Sequence, residues 1–257
     1  HLSIRRQRQM CIRDSLGIVV TTDNAPELAK ERAKQLSDLA WKLRRDFLAD
    51  RVLVPLDVAM RRALAAEEGP VILADQGDNT AGGGPGDGTT LIEALKEAGW
   101  PDAALFICDP EAVKKAMEAG VAGEVEMLVG GKTDRLHGEP VKVKGRVKLI
   151  SDGKFISLRE RALVKMGRTV VLECGATHLV LTEYPTSQTE PKFFRSVGIE
   201  PSDKKILVVQ SAHLFRHYFE SMAKMIMEVD TPGITSPNLS RFTFRRVRRP
   251  IFPLDDI

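Results

Sequence analysis

The stretch "PVILADQGDNTAGGGPGDGTTLIEALKEAG", residues 70–99, places an apolar run, a glycine-rich turn and an amphipathic run in direct succession. The apolar run 70–75 predicts a buried strand, and residues 88–99 have the periodicity of a helix. A strand that leads into a helix is the repeating element of α/β folds. The stretch therefore predicts an α/β domain and raises the question of what the turn does.

The glycine-rich turn admits three interpretations. Unpaired amides at a helix start beside glycines are typical of anion sites. However, Asp87-Gly88-Thr89 stands where a P-loop needs lysine before serine or threonine. Asp75, Asp78 and Asp87 would also repel a phosphate unless a divalent cation lay between them. A tight turn that only packs the helix on the sheet, or the floor of another active site, therefore remain the alternatives, because a flexible linker would lack such patterned flanks.

The rest of the chain repeats the strand and helix signals. A mixed sheet with flanking helices and an antiparallel β-rich insertion is the predicted fold, and half-exposed antiparallel strands are predicted in the insertion. The elements expected outside 70–99 are a buried strand at 16–23, a helix at 23–48 with an apolar stripe (Leu28, Leu36, Leu39, Ala40, Leu43, Phe47), a helix at 55–69, a strand before a helix start at Asp109-Pro110, strands in 140–158, a hairpin around Gly175 in 168–183, a strand ending at Ser211, and a helix carrying Leu214, Phe215, Tyr218, Phe219, Met222 and Ile226.

Composition excludes several classes of protein. The 257 residues carry a net charge of +3 and have no apolar run long enough to cross a bilayer, so we expect a cytoplasmic protein without a membrane or nucleic-acid partner. Cys11, Cys108 and Cys174 lack CxxC spacing and are expected to be structural thiols. Residues 1–15 lack apolar periodicity and are interpreted as a non-native leader.

The segment "RFTFRRVRRPIFPLD", residues 241–255, interleaves arginine with Phe242 and Phe244. Such a composition could suit nucleic acid. The segment is short and isolated, so we favour a structural tail whose arginines pair with carboxylates or clamp a neighbouring domain.

Six blocks of the chain, in order, closely resemble the C-terminal domain of the microcystinase C (MlrC) family of zinc metallopeptidase-like hydrolases. The blocks are "ADQGDNTAGGGPGDGTTLIEAL", "AGVAGEVEMLVGGKTD", "LISDGKF", "MGRTVVLECGATHLVLTE", "FFRSVGIEPSDKKILVVQSAHLFRHYF" and "VDTPGITSPNLSRFTFRRVRRPIFPLD". The resemblance implies that residues 70–257 form the C-terminal domain of a two-domain hydrolase. Residues 16–69 would be the tail of its N-terminal metallopeptidase domain. Thr80 departs from the proline usual in the family.

The resemblance also implies the chemistry. Members of the family hydrolyse peptide or amide bonds in small peptides, linearised cyclic peptides among them as in microcystin degradation, using zinc-activated water. The zinc ligands lie in the N-terminal domain, outside this chain. His137, His178, His213 and His217 form no HExxH or HxH motif here, so no metal ligand is assigned and the fragment is expected to be inactive alone.

The predicted site lies at the carboxyl ends of two strands, where open α/β sheets place ligand crevices. We expect its residues to cover the active site of the N-terminal domain in cis and to position a small peptide substrate. Ser211 lacks the GxSxG context of a nucleophile. The candidates are Asp75, Asp78, Asn79, Gly82, Gly83, Gly84 and Asp87 on one side, and Ser211 and His213 on the other.

Two other functions stay open. A non-catalytic ligand-binding module predicts that Asp78→Ala abolishes ligand affinity. An oligomerisation domain, forming a homo-oligomer, predicts that the same change is silent and that loss of the arginine segment breaks assembly.

Overall fold

The computed structural model describes residues 16–49 and 52–257, which form two compact units. The larger unit comprises residues 53–238, and the smaller unit comprises the described part of 16–52 with 239–257. The larger unit holds the strands found in the described chain: β1 Val71–Asp75, β2 Ala103–Cys108, β3 Glu124–Val129, β4 Val141–Ser151, β5 Lys154–Ile156, β6 Leu163–Lys165, β7 Thr169–Cys174, β8 Thr177–Thr182, β9 Ile206–Val209 and β10 Met225–Val229.

The helices are short outside the smaller unit. Asp109 begins one of them as the sequence predicts, because its side chain accepts a hydrogen bond from the amide of Ala112. None of the helices in the described ranges is long and apolar enough to cross a membrane. The helices are α1 Pro26–Lys42 and α2 Asp46–Ala49 in the smaller unit, then α3 Leu56–Ala65, α4 Thr90–Glu97, α5 Pro110–Ala119, α6 Lys192–Arg195 and α7 Arg216–Phe219. Short 3₁₀ turns lie at Thr80–Gly82, Pro201–Asp203 and Leu239–Arg241.

Eight strands form one mixed sheet in the order β10-β1-β9-β2-β8-β7-β4-β3. The first five strands in this order run parallel, and β7, β4 and β3 extend the sheet with antiparallel pairings. Strands β5 and β6 form a separate antiparallel hairpin. This arrangement confirms the predicted mixed sheet with flanking helices and an antiparallel extension.

The strands β7 and β8 are buried, although the sequence predicts that they are half-exposed. Alternate residues point into two different hydrophobic cores: Leu172 and Leu179 pack in one, and Val171 and Val180 in the other. Strand β8 pairs with the parallel strand β2, so it lies inside the covered part of the sheet. Only β3 and the first part of β4 show the alternation of buried and exposed residues that a half-exposed sheet requires.

The connections that leave the neighbouring strands β1 and β9 run in opposite directions across the sheet. The chain leaves β1 through α4, whose apolar residues pack on one face of the sheet, and reaches β2. It leaves β9 through Phe215 and α7, where Phe215 and Phe219 pack on the opposite face, and reaches β10 on the other side of β1. β1 and β9 are parallel neighbours, with Ala74 beside Val209. Neighbouring strands whose connections depart in opposite directions open a crevice at their carboxyl ends.

Two expectations for the smaller unit are wrong. Residues 16–25 contain no strand, and Leu16 and Val19 are exposed, because no described strand lies beside them to accept their backbone hydrogen bonds. The helix α1 forms, but its N-cap residue Ala25 makes no side-chain hydrogen bond. The helix ends at Lys42, earlier than predicted. The predicted apolar stripe is not buried, since Leu28, Leu36, Leu39 and Phe47 stay about half exposed.

The apolar run 214–226 was predicted as one helix and is divided instead. Helix α7 contains only Arg216–Phe219, and Ile226 lies in β10, which pairs with β1. Periodicity cannot separate a short helix followed by a buried strand from one longer helix. Phe215 and Phe219 are buried as predicted, and Leu214 is exposed.

The helix predicted at 55–69 ends at Ala65. The predicted leader, with Cys11, lies outside the described residues.

Candidate functional site

The glycine-rich turn after β1 folds around the carboxylate of Asp78. The amide of Gly86 donates to Asp78 Oδ1 at 2.8 Å, and the amide of Gly88 donates to Oδ2 at 2.7 Å. Gly84 lies so close that a Cβ there would be 2.7 Å from Asp78 Oδ1. The amides that a phosphate would require are therefore engaged by a carboxylate of the same chain, which argues against a phosphate-binding loop.

Asp78 also connects the turn to the neighbouring strand. Gln210, the residue before Ser211, donates from Nε2 to Asp78 Oδ2 at 3.1 Å. The amide of Gln210 donates to Gln188 Oε1 at 2.9 Å. The structure thus brings the turn and the end of β9 together as the sequence predicts, and it does so through two glutamines that no sequence motif indicated.

Asp75 and Asp78 form a buried acidic pair at the end of β1. Asp75 Oδ1 accepts hydrogen bonds from the amides of Gly77 and Asp78 and from the hydroxyl of Thr231. Burial raises the pKa of Asp75. Burial, followed by the charge of Asp75, raises the pKa of Asp78 to about 6. The two carboxyl groups are therefore buried, and the pKa of each is raised above its ordinary value.

His137 is fully buried beside this pair, a position that its sequence context did not reveal. Its Nδ1 lies 2.8 Å from Asp134 Oδ1, and its Nε2 accepts the amide hydrogen of Ile234 at 3.2 Å. Nε2 must therefore be the unprotonated nitrogen, so Nδ1 donates to Asp134. Its Nε2 is 3.9 Å from Asp78 Oδ1. His137 holds together the loop after β3 and the loop after β10, and its ring nitrogens are both engaged.

Unsatisfied oxygen atoms concentrate at this edge of the sheet. In the described chain, five buried side-chain atoms make no hydrogen bond, and four of them lie in the segments that follow β1 and β9. They are Asn79 Oδ1, Thr80 Oγ1, Asp87 Oδ1 and Ser211 Oγ. Buried polar atoms are nearly always paired, and groups left unpaired are common where a ligand completes the bonding.

The other predicted site residues have different positions. Gly82 ends the 3₁₀ turn, and Gly83 follows it with φ of +101°, a conformation that favours glycine. Asp87 uses its Oδ2 to accept the amides of Lys132 and Thr133. His213 is not brought to the acidic pair by any hydrogen bond of the described residues. It is exposed, and its Nδ1 lies 3.8 Å from Glu228 Oε1.

The donor set does not fit a metal ion. Among the described residues, no group of three or more histidine, cysteine, aspartate and glutamate side chains is arranged to hold one. Cys108 also lies close to the acidic residues, but burial, followed by the charges of Asp87 and Asp109, raises the pKa of its thiol to about 12. A thiol with this pKa is protonated at neutral pH and is a poor nucleophile.

We expect Ser211→Ala to leave the protein equally stable or about 0.5–1 kcal/mol more stable, because it removes a buried hydroxyl that has no partner in the chain. Urea unfolding of both proteins measures the difference. Thr182→Val is the matched control, since it removes a hydroxyl that is also buried but donates to the carbonyl of Tyr184, and it keeps the methyl group and the volume. The control should lose about 1 kcal/mol. A similar loss in Ser211→Ala would show that its hydroxyl has a structural role.

Comparison with known proteins identifies relatives of this chain. Residues 73–246 match the family model described as the MlrC C-terminus. The chain is 29% identical over 196 residues to Microcystinase C from Sphingomonas sp., covering 76% of this chain and 38% of the relative. The crystal structure at 2.13 Å of a proposed metallopeptidase from Mesorhizobium sp. BNC1 is similar with a TM-score of 0.78 and 29% identity, covering 89% of this chain and 46% of that one. The chain spans less than half the length of either protein.

Proposed function

This chain belongs to the MlrC C-terminal family, and from that membership we propose that it is the C-terminal portion of a zinc-dependent metallohydrolase. The substrates are small peptides, linearised cyclic peptides among them, whose peptide or amide bonds are cleaved. Residues 70–257 act as the domain that covers the active site, and residues 16–69 are the tail of the domain that carries out catalysis.

The observation that carries this proposal is the group of unpaired oxygen atoms at the carboxyl ends of β1 and β9. A peptide backbone presents N–H donors and C=O acceptors in alternation. Asn79 Oδ1 and Asp87 Oδ1 are acceptors for the N–H groups, whereas the hydroxyls of Thr80 and Ser211 can donate to the carbonyls. These side chains would orient the peptide and exclude water from it.

The acidic pair supports this role without taking part in bond cleavage. Asp78 receives two amides of the turn and the side chain of Gln210, so it fixes the positions of the groups that flank the crevice. We therefore assign Asp78 as a positioning residue. The zinc that the family implies would be held by residues outside this chain, because the described donor set does not fit a metal. Zinc would supply polarisation of the carbonyl and activation of water.

The test is expression of the complete reading frame that contains this chain, followed by metal analysis and an assay with linear peptides. We expect stoichiometric zinc and hydrolysis. Ser211→Ala in that protein should lower kcat/KM about tenfold, with unchanged zinc content, because a hydrogen bond to the substrate is lost. Stoichiometric zinc and cleavage by the 257-residue chain alone would contradict the placement of the ligands outside it.

Ligand binding without catalysis is the alternative function that the same site allows. The complete protein would then bind peptides through Ser211 and Asn79 but would leave them intact. A purely oligomerising domain would show no peptide binding, and Ser211→Ala would leave every measured property except stability unchanged.

A further inference from the structure

A polar cavity lies beside the glycine-rich turn. It has a volume of about 210 Å³ and is lined by the hairpin β5–β6, by the segment after β8 and by Ala81 of the turn. Pockets for whole ligands usually measure about 300–1,000 Å³. This cavity, called here the hairpin pocket, therefore has the size of a subsite for one end of a ligand.

The charges of the hairpin pocket favour a single negative charge. Arg159, Lys165 and Glu160 line it, which leaves one net positive charge. Arg159 has Glu160 as its only ion-pair partner in the described chain, at the long distance of 3.9 Å, and Lys165 has none there. A monoanion can pair with these cations, whereas a dianion would meet the additional repulsion of Glu160.

Hydroxyl groups complete the lining. Thr186, Ser187 and Thr189 face the cavity, and the Thr186 hydroxyl oxygen accepts a hydrogen bond from Gln188 Nε2 at 2.9 Å. Its own proton is therefore directed elsewhere and can be donated to a ligand. Two cations with several hydroxyl donors form a typical environment for a carboxylate.

The hairpin pocket is connected to the crevice at the end of β9. Gln188, which donates to Thr186 in the pocket wall, accepts the amide of Gln210. Gln210 in turn donates to Asp78. The Ser187 hydroxyl also donates to the Gln210 carbonyl at 3.4 Å. One hydrogen-bond network therefore joins the wall of the hairpin pocket to the end of β9 and to Asp78.

We propose that the hairpin pocket binds a carboxylate of the peptide substrate through Lys165 and Arg159, and so selects peptides with an acidic end or side chain near the crevice. The identity of the ligand as a peptide rests on the proposed function. The charge preference rests on the lining residues alone.

The test uses the 257-residue chain and calorimetric titration with N-acetyl-trialanine, which has a free carboxylate, and with its amide. We expect the acid to bind at least about tenfold more tightly than the amide, because only the acid forms charge-assisted hydrogen bonds. Lys165→Met, which keeps the aliphatic stem, should reduce affinity for the acid about tenfold and leave affinity for the amide unchanged. Equal binding of acid and amide would overturn the proposal.

Lys154→Met is the matched control. Lys154 lies directly opposite Lys165 in the same hairpin, but it pairs with Asp152 and does not line the pocket. The control should bind the acid like the unmodified chain. An equal loss in both variants would mean that only the general charge of the hairpin matters, which contradicts a specific site.

Inorganic phosphate is the second probe, because a free anion could use the same cations. We expect it to displace the peptide acid only at concentrations about tenfold higher. Displacement at equal concentration would reject the peptide as the source of the anion. Carboxylate binding through Lys165 with no hydrolysis by the complete protein would reject the proposed enzyme but retain the pocket. Hydrolysis by the complete protein with a KM that Lys165→Met does not change would reject the pocket but retain the proposed enzyme.

Discussion

Gly77→Ala is expected to lower the free energy of unfolding by about 3 kcal/mol or more and to abolish ligand binding at the crevice. A Cβ at position 77 would lie 2.1 Å from the carbonyl oxygen of Pro232 and 2.6 Å from that of Thr231. Both are backbone atoms, so no side-chain rotation can relieve the overlap. The loop after β10 would have to move away, breaking the bond from the Gly77 amide to the Thr231 hydroxyl.

Chemical denaturation of the variant measures this effect, and Gly82→Ala is its control. A Cβ at position 82 would meet only the side-chain atoms Asn79 Nδ2 and Thr235 Cγ2, each at 3.1 Å. These can shift, so the control should cost less than about 1 kcal/mol. Equal stability of the two variants would show that the two loops are not packed as closely as the structure has them.

The second large effect is the contribution of Asp78 to stability, which is lost as pH rises from about 4 to about 7. The pKa of Asp78 is raised from 3.8 to about 6. Between these values Asp78 binds more protons in the folded chain than in the unfolded chain, so its contribution to stability is complete below the lower pKa and is lost as pH passes the higher one. The difference corresponds to about 3 kcal/mol. The raised pKa of Asp75 acts in the same direction.

Urea unfolding at a series of pH values tests this prediction by comparing the chain with Asp78→Asn. The variant cannot ionise at this position, so its stability should depend on pH less steeply by about 3 kcal/mol over the range. It should be less stable at pH 4, because its amide nitrogen faces the N–H donors of the turn. Asp57→Asn changes an exposed carboxylate on α3 and serves as the control. Identical pH profiles for the chain and Asp78→Asn would contradict the raised pKa.

The sequence predicted the fold where local patterns and burial agree. The strand 71–75, the glycine-rich turn and the helix after it were all expected, because apolar runs bounded by glycine leave few other structures. The prediction of a single helix over 214–226 was wrong, because a short apolar run does not distinguish a short helix followed by a buried strand from one longer helix. The burial of β7 and β8 could not be predicted, because it depends on β2 as a neighbour that is distant in sequence.

The candidate site was predictable only in part. Strand ends indicated Asp78 and Ser211, and the structure shows that β1 and β9 are neighbours. Gln188, Gln210 and His137 carried no motif, since their roles come from contacts between segments that lie more than twenty residues apart. No sequence pattern indicated Lys165 or Glu160 as residues of a site. Only the cavity beside them gives them a common function.

The carboxylate of Asp78 within the turn has a consequence for the speed and strength of recognition. The turn residues lose their conformational freedom when the chain folds, because an internal anion already orders them. A ligand then meets a turn that is already ordered, so its affinity is not reduced by the entropy of ordering this loop. The association rate should accordingly reflect diffusion and charge rather than a slow closing step.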